Sequence, residues 1–226
     1  MPFKGINELT LFPTSVFQTK MPSYGIFNQD FKKYIYNLKA KHPESEQKSN
    51  EKGWHSPHLD LDDKPVSKFI NILDPILNNI AKELGWDLEQ YFIGYKGIWS
   101  IINDKYSYNL IHNHGDALLS LAYYVKIPKD NKGGNFYFSD PRIASKQRKP
   151  PILKSTPHEI QQKTHARFNT EVETKEGDLI IFPGWLDHGV KQSSSDEDRI
   201  VISANIDLYP KPGKIKPGIH PNHITY

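Results

Sequence analysis

Three residues with metal-binding side chains stand out in the chain: His114, Asp116 and His188. Two imidazoles and one carboxylate are the ligands that hold Fe(II) on one face and leave its other coordination positions open for oxygen chemistry. Arg199 follows the distal histidine, and a guanidinium can form a two-pronged pair with the carboxylate of a small acid. The residue types and their order therefore predict a non-haem iron site with an anion-binding arginine beside it.

The spacing of the first two residues supports this interpretation. Successive side chains of a strand alternate between its faces, so His114 and Asp116 would point to the same side and could share one ion. His188 follows the segment 176–185, which contains a turn, an apolar strand and a Pro-Gly corner. Such a corner would return the chain across a barrel, and the predicted ligand set is His114, Asp116 and His188.

His112 is a competing ligand. His112 and His114 also lie two positions apart, and this H-x-H spacing is typical of cupin metal sites. Positions 112, 114 and 116 would then all point inwards, where charged groups need partners. We favour His114 and Asp116 as ligands, with His112 beside the metal or near the substrate.

A second polar pattern lies on the strand that begins at Arg199. Arg199 and Ser203 share a strand face, so a guanidinium fork and a hydroxyl could bind one carboxylate. Tyr124 would point to the same side as Asp116 if the strand between them is regular, and its phenol could then reach the same carboxylate. The alternative is that Arg199 lies at the surface and pairs with the acidic residues 196–198.

The elements that must position these residues follow from hydrophobic periodicity. Apolar stripes predict a helix over 29–41 that Asn28 caps, and a helix over 65–84 with a kink or a break at Pro75. From Tyr91 the pattern becomes that of strands. The predicted strands are 7–18, 92–102, 119–127, 135–139, 171–174, 178–182 and 199–208. Helices first and strands afterwards favour a mainly β (α+β) fold, a β-sandwich or barrel with helices packed on one side.

The composition limits the number of domains and the kinds of metal site that the chain can have. The 226 residues are 37% hydrophobic, which is enough for one substantial core, so a single domain is predicted. We expect an N-terminal helical support region over 1–90, a catalytic core over 91–210 and a tail over 211–226. The absence of cysteine excludes disulfides, thiolate metal sites and iron–sulfur clusters. Neither a membrane-spanning run nor a signal peptide is recognisable, so a cytoplasmic protein is expected.

The segment 140–170 is long, basic and contains several prolines. A stretch of that length without predicted structure is typical of an active-site lid or a flexible loop. Its basic run Lys146–Lys154 could hold phosphates, which would suit a nucleic-acid substrate. The net charge of +3 is too small to indicate nucleic acid by itself, so we expect no nucleic-acid partner.

Several segments resemble a 2OG-Fe(II) oxygenase family of marine bacteria and phages, within the prolyl-hydroxylase-like dioxygenases. The similar segments are SNEKGWHS at 49–56, YN-x2-HNH at 108–114, S-x-x-YYV at 120–125, GGNFYFSDPR at 133–142, GDLIIFPGWLDHGV at 177–190 and R-x3-SAN at 199–205. The resemblance implies a double-stranded β-helix (jelly-roll, cupin-like) core, Fe(II), 2-oxoglutarate as co-substrate, and ascorbate as a stimulant. It also implies that Tyr124 and Ser203 contact the 2-oxoglutarate carboxylate. Gly115 and Asp116 depart from the family, which often has Pro and then Asn or Gly at these positions.

The combined interpretation is an Fe(II)- and 2-oxoglutarate-dependent dioxygenase that hydroxylates a peptide or protein side chain or a small molecule, releasing succinate and CO2. The residues expected to line the substrate pocket are His112, Asn109, Trp99, Phe136, Arg142, Trp185 and Asn205. Two alternatives stay open: an oxidative demethylase of nucleic acids on the same scaffold, and a cupin-like protein that binds a divalent ion without oxygenase activity. Arg199 argues against the second, because such a protein needs no carboxylate-binding fork beside its metal.

Overall fold

Antiparallel β-sheets and two α-helices make up the described part of the chain. The computed structural model describes residues 5, 7, 9, 11–130, 132–142, 144, 151, 153–155, 157 and 168–213. The helices are α1 (Tyr24–Lys41) and α2 (Lys64–Glu83). The strands are β1 (Phe17–Lys20), β2 (Asn50–Glu51), β3 (Trp54–His55), β4 (Tyr91–Asn103), β5 (Tyr108–His112), β6 (Leu119–Lys126), β7 (Phe136–Ser139), β8 (Asn169–Val172), β9 (Asp178–Pro183), β10 (His188–Val190) and β11 (Arg199–Pro210).

Two sheets share these strands. One has six strands in the order β1-β9-β6-β11-β4-β3, and the other has five in the order β2-β5-β10-β7-β8. The strand pairs are antiparallel, and the helices pack against the face of the larger sheet that points away from the smaller one. The predicted jelly-roll core with helices on one side is therefore confirmed.

Alternation along the central strands of the larger sheet produces two apolar layers. On β6, Leu121 and Tyr123 face the helices, whereas Ala122 and Tyr124 face the second sheet. On β11 the even-numbered residues 200–206 face the helices and are fully buried. Burial of each isoleucine side chain among them stabilises the fold by about 1.5–3 kcal/mol. The odd-numbered residues 199–205 face the space between the sheets.

The first helix begins earlier than its predicted start. α1 begins at Tyr24, after Ser23 in a left-handed conformation with φ of 54°. The prediction that Asn28 caps the helix is wrong, because Asn28 is buried within it and accepts a hydrogen bond from the Tyr123 hydroxyl at 2.6 Å. A polar residue that resembled a cap thus ties the helix to β6.

The second helix continues through its proline. α2 is unbroken at Pro75, although proline removes one hydrogen bond of the helix. Phe69, Leu73 and Leu77 are buried on both sides of that position, so packing holds the helix together where its backbone is weakest.

The first ninety residues contribute strands as well as helices. β1 pairs with β9 at one edge of the larger sheet, and β3 pairs with β4 at the other. β2 pairs with β5 in the smaller sheet. The strands β2 and β3 therefore place the segment 49–58 at the edges of the two sheets.

Two expectations depend on residues that the structure describes only in part. The predicted lid over 140–170 and the basic run Lys146–Lys154 lie largely outside the described residues. The end of the predicted lid is described, and residues 169–170 there belong to β8. No helix in the described part of the chain combines the length and apolar character that crossing a bilayer requires.

Candidate metal and co-substrate site

Three histidines converge between the two sheets. His112, His114 and His188 each offer a ring nitrogen, and these atoms all lie within 4.8 Å of one another. The ring centroids of His112 and His188 are 4.3 Å apart, and that of His114 lies 5.1 Å from His112 and 5.2 Å from His188. Imidazoles this close together can be ligands of one transition-metal ion.

Two neighbouring strands set His112 and His188 side by side. His112 is the last residue of β5, His188 is the first of β10, and the two are directly paired. Opposed residues of an antiparallel pair have their Cβ atoms about 4.5–5.5 Å apart on the same face. The corner at 183–184 precedes His188 and brings β10 back beside β5.

His114 is held by a turn rather than by a strand. Its N–H donates to the carbonyl of Gly184 at 2.7 Å, and its own carbonyl accepts from the N–H of Ala117 at 2.8 Å. A Cβ on Gly184 would lie 2.2 Å from the Ala117 oxygen and 2.7 Å from the His114 oxygen. Glycine is therefore needed for the close approach that fixes the backbone of His114.

Burial keeps these imidazoles neutral. His188 Nδ1 lies 2.8 Å from the carbonyl of Leu186, and His112 Nδ1 lies 2.7 Å from that of Leu110. A carbonyl only accepts, so both rings carry their proton on Nδ1 and leave Nε2 unprotonated. Burial, helped by the nearby His112, lowers the pKa of His188 to about 3 and that of His114 to about 4. Burial also lowers the pKa of His112, so at neutral pH all three rings have a lone pair for a metal ion.

Asp116 lies outside this cluster. Its side chain is 75% exposed, and its carboxylate is 3.1 Å from Lys96 Nζ. β5 ends at His112 and the chain turns at residues 115–116, so the alternation expected to carry Asp116 inwards has already stopped. The structure therefore groups His112, not Asp116, with His114 and His188.

A buried arginine lines the same space between the sheets. Arg199 is 4% exposed, and its Nη2 donates to the carbonyl of Gly133 at 3.2 Å. Among the described residues, no group accepts a hydrogen bond from its Nε or Nη1. The neighbouring Asp198 pairs with Lys126 instead, so the surface alternative for Arg199 does not hold. Two buried donors without partners are costly, which suits a ligand that is an anion.

Tyr124 and Ser203 share the surroundings of Arg199. Tyr124 is paired with Val201 across β6 and β11, and the odd positions Arg199 and Ser203 flank that residue on the same face. Burial raises the pKa of Tyr124, so its phenol stays neutral and can donate a hydrogen bond. The structure thus brings together Arg199, Ser203 and Tyr124, the three residues predicted for the carboxylate.

One cavity of about 500 Å³ joins the histidine cluster to Arg199. Five of the predicted pocket residues line it: His112, Asn109, Trp99, Phe136 and Asn205. Arg142 and Trp185 were also predicted there, and the structure places both elsewhere. The Arg142 guanidinium pairs with Asp140 at 2.9 Å, and Trp185 is half exposed at the corner before β10.

Two further histidines line the cavity beside Trp99. The rings of His55 and His58 stack on the indole with centroid distances of 5.7 and 6.1 Å. A Cβ on Gly97 would lie 2.5 Å from the His58 ring, so the glycine makes room for this imidazole. Neither histidine was among the residues predicted to line the pocket. The similar segment 49–56 contained a signal for His55, but no spacing argument connected it to the metal.

A chain of polar side chains leads to His112 from the other wall. Asn103 Nδ2 donates to Asn109 Oδ1 at 3.0 Å, and Asn109 Nδ2 donates to Ser49 Oγ at 3.2 Å. Ser49 Oγ lies 3.3 Å from His112 Nε2. The predicted pocket residue Asn109 is therefore linked to the His112 ring through Ser49.

Residues 97–205 match the sequence model of the family described as "Putative 2OG-Fe(II) oxygenase". The matched stretch contains the three clustered histidines and Arg199. The match indicates a 2-oxoglutarate-dependent dioxygenase. The family resemblance predicted from the motifs is confirmed, and the dioxygenase matches no curated protein sequence.

Solved structures of other oxygenases resemble this dioxygenase in fold. A prolyl-4-hydroxylase from Pseudomonas putida has a TM-score of 0.60 at 10% identity, covering 85% of this chain and 92% of that one. The viral collagen prolyl hydroxylase of Paramecium bursaria Chlorella virus-1, in its 2-oxoglutarate complex, has a TM-score of 0.54 at 14% identity, covering 84% and 94%. HygX from Streptomyces hygroscopicus, with nickel, 2-oxoglutarate and hygromycin B bound, has a TM-score of 0.57 at 14% identity, covering 85% and 82%. The shared fold is the double-stranded β-helix.

The residues of the site fit Fe(II) and 2-oxoglutarate. Neutral imidazole is a suitable ligand for iron. Among the described residues no aspartate or glutamate lines the cavity, so nothing there repels a dianionic co-substrate. The two unpartnered nitrogens of Arg199 can bind one of its carboxylates.

Proposed function

We propose that this dioxygenase hydroxylates a peptide or protein side chain or a small molecule, with release of succinate and CO2. We also propose that His112, His114 and His188 hold the iron. The observation that carries both proposals is one cavity that is lined by three neutral imidazoles and by the buried, partly unpartnered Arg199, with no acidic residue among its described lining.

Arg199 binds the carboxylate of 2-oxoglutarate that is remote from the iron. A guanidinium contributes two parallel hydrogen bonds to such a group, and Tyr124 and Ser203 can add a hydroxyl donor each. This arrangement fixes the direction of the co-substrate along the cavity, with its 2-oxo acid end towards the histidines.

The walls near the histidines keep water out. Phe136 and Phe182 are buried against His188, with ring centroids 5.5 and 4.7 Å from the imidazole. Val190 and Val201 also line this part of the cavity. When bound, iron and 2-oxoglutarate supply an oxidation that consumes dioxygen, converts 2-oxoglutarate to succinate and CO2, and inserts one oxygen atom into a substrate C–H bond. The protein's part is ligand geometry, orientation and a low-dielectric pocket.

The prime substrate enters beside His55, Trp99 and His58, because His58 is exposed at this part of the cavity lining. Proteins of similar fold are associated with both a peptide or protein side chain and a small molecule. Two of the compared structures are prolyl hydroxylases, and HygX is seen with hygromycin B. The nucleic-acid alternative depended on the run 146–154, most of which lies outside the described residues, so no observation favours it.

The test begins with the co-substrate. We would titrate 2-oxoglutarate into the Fe(II) protein without oxygen and follow the visible charge-transfer band of the chelate. Oxygen and ascorbate would then be added, and succinate measured with no prime substrate present. The wild type should show both signals, and His188→Ala, the control, should show neither. An iron-loaded wild type that neither binds 2-oxoglutarate nor forms succinate from it would refute the proposal.

The substrate class is tested separately. Peptides and small molecules would be screened for compounds that raise succinate formation and gain the mass of one oxygen atom. Stimulation without an oxygenated product would contradict the proposed hydroxylation while leaving the co-substrate chemistry intact.

A further inference from the structure

The three clustered histidines differ in the group that contacts their Nδ1 atom. His112 and His188 each present Nδ1 to the carbonyl of the residue two positions earlier, at 2.7 and 2.8 Å. His114 has no such carbonyl: its Nδ1 lies 3.3 Å from the side-chain amide nitrogen of Asn205. In metal sites the partner of the second nitrogen fixes which nitrogen is free to bind the ion.

The fold places the Asn205 amide at this point. Asn205 is an odd-numbered residue of β11 and faces the cavity, directly opposite Ser120 of β6. The pairing of β11 with β4 shifts register between Asn205 and Ile206. Irregularities of this kind re-aim a side chain beside a functional site. The other end of the amide, Oδ1, accepts a hydrogen bond from Ser120 Oγ at 2.8 Å.

The amide can bind its two neighbours in either of two orientations. With its nitrogen towards His114, the imidazole must accept on Nδ1, and a neutral ring then carries its proton on Nε2. After a half-turn about the Cβ–Cγ bond, Oδ1 accepts the Nδ1 proton of His114 and Nδ2 donates to Ser120 Oγ. Both orientations satisfy the amide, because a hydroxyl can donate or accept.

Only the second orientation gives the three rings the same protonation. In the second orientation, His112, His114 and His188 all carry their proton on Nδ1, and each offers the lone pair on Nε2 to the ion. The first orientation would direct an N–H of His114 at the ion.

We infer that Asn205 is a positioning residue for the metal: its side-chain oxygen accepts the Nδ1 proton of His114 and so selects the ring form that can bind the ion through Nε2. The inference rests on the proposed three-histidine site. It assigns Asn205 a role towards a metal ligand rather than the substrate contact that the sequence predicted.

The experiment measures Co(II) affinity by anaerobic competition with a chromophoric chelator, for the wild type and three variants. Asn205→Leu keeps the approximate shape and removes the acceptor, and it should weaken Co(II) binding roughly ten- to a hundred-fold, the usual effect of losing such a partner. Asn205→Asp keeps an acceptor oxygen and should bind within a few-fold of the wild type. Ser120→Ala, the matched control at the other end of the amide, should also stay within a few-fold.

A second measurement does not depend on the stability of any variant. The 15N shifts of the His114 ring in the metal-free wild type report which nitrogen carries the proton, and we expect Nδ1. A ring protonated on Nε2 in the wild type, or Asn205→Leu binding Co(II) as tightly as the wild type, would overturn the inference. Failure of the proposed site itself has a different signature, since His188→Ala would then bind Co(II) as well as the wild type does.

Discussion

The co-substrate half of the site follows the alternation of side chains along a strand, whereas the metal half does not. Alternation of side chains along a strand predicted that Arg199 and Ser203 would face one cavity, and both line it. The same alternation predicted that His114 and Asp116 would share an ion, and Asp116 instead lies in the solvent beside Lys96.

The difference lies in what pairs with each segment. β11 lies between β4 and β6, and it is hydrogen-bonded on both sides from residue 200 to residue 206. β5 pairs with β2 and β10, but its pairing ends at His112, and the chain turns before Asp116. Alternation is a property of a hydrogen-bonded ladder rather than of a spacing in the sequence. A polar pattern with period two is therefore reliable only as far as its strand is paired.

The largest effect that would test this contrast is on metal binding. His112→Ala removes a ligand of the proposed site, so we expect Fe(II) or Co(II) affinity to fall by well over the roughly hundred-fold that loss of an outer partner can cost. Asp116→Ala is the matched control, two residues beyond His114, and should leave the affinity unchanged. Metal content and chelator competition of the purified variants measure both.

The opposite outcome has a definite meaning. Retention of metal by His112→Ala together with its loss in Asp116→Ala would restore the ligand set that strand parity predicted. It would also require the turn at 115–116 to rearrange around the ion, away from Lys96.

The next largest effect is on the affinity for 2-oxoglutarate, and it tests the half of the site where side-chain alternation was followed. Arg199→Ala should leave the metal bound and weaken 2-oxoglutarate by about 1.5–3 kcal/mol, roughly ten- to a hundred-fold, because a hydrogen-bonded charge pair is lost. Arg199→Lys should recover part of the loss, since it restores the charge without the fork. Anaerobic titration of the Fe(II) protein gives the affinities.

Arg142→Ala is the control for this experiment. Arg142 lies outside the cavity and pairs with Asp140, so its removal should not change 2-oxoglutarate binding. Equal affinities of Arg199→Ala and the wild type would mean that the co-substrate does not use this arginine.

The fold could be predicted from the sequence because its signals are local and repeated. The apolar runs of β6 and β9 are buried on both faces, β11 alternates between buried and half-buried residues, and the apolar stripe of α2 faces the core, so each pattern predicts its element. Of the site, Arg199 and Ser203 followed from the same periodicity, whereas Tyr124 was predicted from its parity with Asp116, which lies outside the strand. The fold class and most strands were therefore accessible without any knowledge of which strands are neighbours.

What could not be predicted depends on contacts between segments far apart in the chain. His55 and His58 reach the cavity because β3 pairs with the edge of β4, and no pattern within 49–58 indicates that pairing. The choice between His112 and Asp116 depended on where β5 ends. That end is set by the partner strands and by the corner at Gly184, which packs against the turn after His114.

Gly184→Ala tests that explanation and should have an intermediate effect. The added methyl would meet the carbonyl oxygens of Ala117 and His114, so we expect a loss of about 1–3 kcal/mol in the free energy of unfolding, as for other overpacked sites. Metal affinity should fall as well, because His114 moves. Gly115→Ala is the matched control in the same turn, where the nearest contact of a Cβ is an ordinary 3.4 Å. Urea denaturation of the metal-free proteins compares the two, and equal stability would show that the close approach at Gly184 does not hold the turn.

The smallest expected change in 2-oxoglutarate affinity comes from Ser203, which side-chain alternation placed at the cavity. Facing the cavity allows a contact with the co-substrate but does not prove one. If the hydroxyl donates to the 2-oxoglutarate carboxylate next to Arg199, then Ser203→Ala should cost about 0.5–1.5 kcal/mol, roughly two- to ten-fold in affinity, with metal binding unchanged. Ser203→Thr keeps a hydroxyl and should lose less. Identical 2-oxoglutarate titrations for the wild type and Ser203→Ala would mean that alternation placed the side chain at the cavity without giving it a ligand, and that Arg199 holds the carboxylate with Tyr124 alone.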